Sequence, residues 1–212
     1  VAAIAGFLLT AVPVWTGAPA VTGGHLAGLA GVWVAGRGAF LLAGSLPPWA
    51  VALADALFLP ALAVALAPAL LTRGQRRNVG FLVALVALAL ANAALHAGAL
   101  GVAPLAPRAV LRAGIDVVAI VLVVVSGRIT PAFTRNALTR SGVDAPVRAS
   151  PRLDRLAVAG AVLVAATALA PALAPVRGAA ALVAGAAVLG RLAGWQTARP
   201  LRDPLLWSLH AG

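Results

Sequence analysis

Apolar runs of bilayer length, separated by short connections rich in Pro and Arg, recur through these 212 residues and restrict the chain to few folds. A hydrocarbon core about 30 Å thick is crossed by roughly 20 mostly apolar residues in a helix. The runs cover residues 1–14, 24–43, 49–71, 79–101, 109–126, 156–173 and 178–195, and another opens at Pro204. Strand-length alternation is absent, so a barrel is excluded. The pattern predicts an all-α, polytopic transmembrane helix bundle of about seven spans plus the start of an eighth. Pro47, Pro48, Pro104, Pro107, Pro171 and Pro175 mark turns, whereas Pro60 and Pro68 fall inside a span, where membrane helices tolerate kinks.

Composition agrees. Mean hydropathy is +1.02 and only 10% of residues are charged, far from a soluble domain. The chain begins inside one apolar run and ends just after another opens, which reads as a single transmembrane domain cut at both ends. Cys, Met, Tyr, Lys and Glu do not occur, which excludes disulfides, thiolate and thioether metal ligands, and a retinal Schiff base. A metal or haem iron held by side chains must rely on His25, His96 or His210, with Asp a poorer ligand.

The arginines orient the bundle. Arg73, Arg76 and Arg77 fill one connection, Arg128, Arg135, Arg140, Arg148, Arg152 and Arg155 another, and Arg199 and Arg202 a third, while the alternate connections hold Arg108 and Arg177. Basic loops face the cytoplasm, so the net charge of +11 is mostly topological and does not mark a nucleic-acid-binding surface. Trp15, Trp49, Trp195 and Trp207 fall at predicted helix ends and read as interfacial anchors. Gly24 and Gly28, and Gly190 and Gly194, have the spacing that lets helices approach closely. In the long polar stretch, Pro131 is expected to start a short surface helix that ends before an exposed loop after Ser141.

Polar groups inside the spans are the candidate sites, because hydrocarbon penalises them unless they are paired. Asn92 and His96 stand one turn apart, so the amide can fix the imidazole tautomer while the other ring nitrogen meets a ligand. Their bland alternative is interhelical hydrogen bonding. Arg112 and Asp116 share the same spacing and read as an ion pair. Arg37 and Arg191 lie deeper than the loop arginines and suit a cavity or a cofactor carboxylate. His25, at the mouth of a span, reads as interfacial. At a rise of ~1.5 Å per residue, His96 lies about 26 Å along its helix from the cytoplasmic end and His210 about 9 Å, too different in depth for two axial ligands of one haem.

Several stretches taken together resemble the NnrS family of bacterial membrane proteins: residues 6–17 (GFLLTAVPVWTG), 33–37 (WVAGR), Arg77-Asn78 leading to Asn92 and His96, 127–138 (GRITPAFTRNAL) and 203–210 (DPLLWSLH). Two positions depart from the family pattern: Val14 stands where the family usually has Asn, and His25 belongs to none of its motifs. The family's histidine-bearing first helix has no counterpart here. The resemblance implies a larger multi-pass protein of the bacterial inner membrane that binds haem and copper and protects against nitrosative stress, handling nitric oxide or metal-nitrosyl species and not acting as a conventional enzyme. It points to His96 and His210 as metal ligands, with Asn92 and Arg37 as further cofactor-binding residues. The alternative is a secondary transporter whose path is lined by Asn92, His96, Arg112 and Asp116.

Overall fold

The computed structural model describes residues 2–104, 106–142, 146–195 and 204–211. They form α-helices joined by short turns, with no strand among the described residues: α1 (Ala2–Thr16), α2 (Gly23–Leu41), α3 (Pro48–Ala56), α4 (Phe58–Leu70), α5 (Val79–Ala99), α6 (Pro107–Arg140), α7 (Pro151–Ala166), α8 (Ala174–Gly194) and α9 (Pro204–Ala211). The chain divides into two compact units, residues 1–114 and 115–212, with the boundary inside α6.

Among the described residues, four helical segments are long and apolar enough to cross a membrane: Pro48–Leu70, Arg76–Ala99, Pro107–Arg140 and Pro171–Gly194. Length and composition of the described residues do not confirm the expected count of about seven. α1 and α7 have 15 and 16 residues, and α2 is rich in glycine and carries His25 and Arg37.

Two boundaries differ from the sequence expectation, both at prolines. The third span is broken at Leu57 into α3 and α4. Pro60 offers no N–H to the carbonyl of Ala56, and a proline ring in a helix crowds the carbonyl four residues before it, so the helix resets there. Pro131 does the opposite: α6 runs through it for 34 residues, and the expected surface helix is the continuation of the span. Thr134 sends its hydroxyl to Thr130 O at 2.8 Å in this turn. The loop after Ser141 is also less free than expected, since Arg148 N bonds Gly194 O at 2.9 Å; residues 143–145 lie outside the described residues.

In the first unit, α4 packs on α5 and α1, and α2 packs on α3 and α4. The core follows helical spacing: Leu8 and Val12 on α1, Leu62, Leu66 and Leu70 on α4, and Phe81 and Leu85 on α5 are all buried. Val64, Val83 and Leu90 point outward, more than half exposed. That apolar exterior suits contact with lipid. Trp15 stacks on Phe81 with centroids 5.2 Å apart.

The second unit is centred on the α7 and α8 hairpin. Ser150 caps α7 by accepting from Leu153 N, and Pro151 occupies its first turn. At Gly160 a Cβ would come within 3.1 Å of Ala180 O and 3.0 Å of Ala184 Cβ, so the two backbones meet at small residues. Of the glycine pairs read from sequence, Gly190 and Gly194 do face close neighbours, Leu153 and Arg148, whereas Gly24 and Gly28 face open space.

Candidate functional site

The polar residues of the first unit converge on a carboxylate absent from the sequence-derived set, Asp55. It ends the short helix α3, one turn before the Pro60 break, and is only 8% exposed. α2 reaches it because Gly36 has no side chain: a Cβ there would lie 3.1 Å from both Ala54 O and Asp55 Cα. This close approach sets Arg37 beside Asp55, and its Nη2 pairs with Oδ1. From α5, Asn92 Nδ2 donates to Asp55 Oδ2 at 2.9 Å, and His96 Nε2 lies 2.9 Å from the same oxygen. One turn after Arg37, Phe40 lies under the guanidinium at 5.1 Å and stacks with the His96 ring at 6.1 Å.

The chemistry follows from the donor inventory. A carboxylate paired with arginine accepts, so Nε2 of His96 is the N–H nitrogen and Nδ1 carries the lone pair. No hydrogen bond to Nδ1 forms among the described residues, and the side chain is 17% exposed. A carboxylate behind an imidazole fixes its tautomer and ring orientation, as behind many metal-bound histidines. Asn92 therefore acts through Asp55 and does not hold the imidazole directly, which corrects the expected contact. One acidic residue in an otherwise apolar run, as at Asp55, is the sequence signal that would have found it.

In the second unit Arg191, 3% exposed, pairs through Nε with Asp154 Oδ1 at 2.9 Å and donates through Nη2 to Val123 O at 3.1 Å. Trp195 lies 4.9 Å from its guanidinium carbon. The indole is 3% exposed, so its expected role as an interfacial anchor is replaced by a place in the core, while Trp49 and Trp207 stay exposed at 62% and 47%. The ring of His210 meets Trp195 edge-on at 6.4 Å, and His210 Nε2 is 2.9 Å from Thr134 Oγ1. His210 thus belongs to a different unit from His96 and has a hydroxyl partner where His96 has a carboxylate. His25 is exposed at the start of α2.

The expected Arg112 and Asp116 pair is replaced. Asp116 is held by Arg177 of α8, Nη1 to Oδ2 at 2.8 Å and Nη2 to Oδ1 at 3.1 Å, and Arg177 also donates to Val164 O. Arg112 is exposed. The Nη2 contact is an aligned hydrogen bond, Nη1 meets Oδ2 as an ion pair alone, and with Val164 O the guanidinium ties three helices together.

A family model described as NnrS protein matches residues 1–212, the whole chain. The chain belongs to the NnrS family. No curated protein and no solved structure matches it. In this NnrS chain the stretches that carry the resemblance also supply the two polar clusters: residues 33–37 bring Gly36 and Arg37 to Asp55, and residues 127–138 bring Thr134 to His210. With four span-length apolar helices, this NnrS protein is a membrane protein.

Proposed function

We propose that this NnrS-family chain is a haem- and copper-binding part of a multi-pass inner-membrane protein of the nitric oxide response, and that His96 is its metal-binding imidazole. The observation that carries the reading is the carboxylate behind His96: Asp55 on Nε2 leaves Nδ1 available for a metal. Asn92 steadies the carboxylate, Arg37 balances its charge, and Phe40 covers one face of the imidazole.

The donor set would fit a single imidazole ligand to haem iron better than a complete copper site. The described residues bring together no group of three or more His, Cys, Asp or Glu side chains, and copper needs further donors. When bound, haem iron supplies a redox-active centre that takes up nitric oxide. The half-exposed Arg37 suits a haem carboxylate. His210, with the Thr134 hydroxyl on Nε2, is the second candidate ligand. The transporter alternative loses one of its path groups, since Asp116 is closed off by Arg177.

The absorption spectrum of the full chain purified in detergent tests this reading. A Soret band with bound copper is expected. Absence of both after growth with added haem precursor and copper would overturn it.

A further inference from the structure

Arg191 has more donor capacity than its neighbours use. Nη2 is taken by Val123 O, and Nε meets Asp154 as an ion pair at 2.9 Å without an aligned hydrogen bond. Nη1, with two N–H groups, is buried and has no hydrogen-bond partner among the described residues. Buried polar groups are rarely left so, and a charged donor least of all. The surroundings preserve this arrangement: Gly127 faces the guanidinium, where a Cβ would overlap Nη2, and Trp195 closes one side of the group.

The two units also repeat one plan. Gly36-Arg37 with Phe40, Asp55 and His96 has its counterpart in Gly190-Arg191 with Trp195, Asp154 and His210. The clusters differ in the histidine, which meets Thr134 in the second and the carboxylate in the first, and in the arginine. Arg37 is 51% exposed, whereas the Arg191 side chain is 2% exposed and its partner Asp154 is 41% exposed, so solvent weakens Asp154 as a counter-ion. Exposed Arg148, Arg152 and Arg155 flank Asp154 in sequence and add positive charge around it.

We propose that Arg191 Nη1 is the recognition point of a second site, separate from His96, that binds a small carboxylate. One carboxylate oxygen accepts from Nη1, and the half-exposed Asp154 competes with the ligand for the guanidinium. A water molecule would satisfy the same N–H groups without responding to the charge of Asp154 or to added carboxylate.

Acetate is the probe, titrated into the full chain in detergent at ionic strength held constant with chloride. Emission of Trp195 is read as the difference between the parent protein and Trp195→Phe. A saturable change is expected, lost in Arg191→Gln. In Asp154→Asn, which alters a half-exposed residue and leaves Arg191 in place, acetate is expected to bind several-fold more tightly. No saturable response in the parent protein, or unchanged or weaker acetate binding in Asp154→Asn, would overturn the site, whatever the haem content at His96.

Discussion

Asp55 Oδ2 lies 2.9 Å from His96 Nε2, joining residues 41 apart in sequence and making one apolar helix hold the imidazole of another. Because Arg37 and Asn92 meet the same carboxylate, its loss leaves three donors without an acceptor. Asp55→Ala is expected to lower stability by about 2–4 kcal/mol, toward the lower end because Arg37 is half exposed. Asp55→Asn should keep the shape but weaken metal retention at His96, within the 10- to 100-fold range typical of such supporting groups. Thermal unfolding in detergent and the ratio of Soret to protein absorbance measure the two effects.

Gly127 and Gly185 make a matched pair. A Cβ at Gly127 overlaps the Arg191 guanidinium, whereas one at Gly185 meets nothing within 4 Å. Gly127→Ala should therefore destabilise by about 1–3 kcal/mol, and Gly185→Ala should be neutral or stabilising by about 0.5–1 kcal/mol. Equal effects in thermal unfolding would contradict the packing around Arg191.

Asp116 and Arg177 form a partly buried pair 61 residues apart. Removing one charge is costlier than removing both, because it strands the other in a low-dielectric interior. Arg177→Gln alone should cost about 1–3 kcal/mol, and Asp116→Asn added to it should recover part of that loss. Arg112→Gln, on an exposed residue, should shift stability by less than about 0.5 kcal/mol.

The arginine pattern predicts the topology. Reporter fusions at Gln75 and Gly142 should both read as cytoplasmic, since the basic residues cluster around those positions. A periplasmic reading at either one would overturn the orientation or the helix order.

The helical class and the four span-length segments were legible because apolar length is a local property. Local spacing also put Asn92 and His96 on one face of α5. It misled at Arg112 and Asp116, where a turn-spaced pair gave way to Arg177 on another helix. Asp55 was illegible as the hub because its partners lie 18, 37 and 41 residues away. Nor does sequence spacing reveal which glycines face a neighbour: Gly36 and Gly160 touch opposing backbone, and Gly24 and Gly28 do not. Prolines divided likewise, Pro60 breaking its helix and Pro131 leaving α6 continuous.

The central claim rests on His96, and the haem and copper content of His96→Ala in the full chain tests it most directly. The variant is expected to insert into the membrane as the parent does, since the side chain adds one hydrogen bond to a carboxylate still held by Arg37 and Asn92. Its Soret absorbance or copper should fall to a small fraction of the parent value, with Asn92→Ala losing less. Full retention of both metal and haem in His96→Ala would contradict the account.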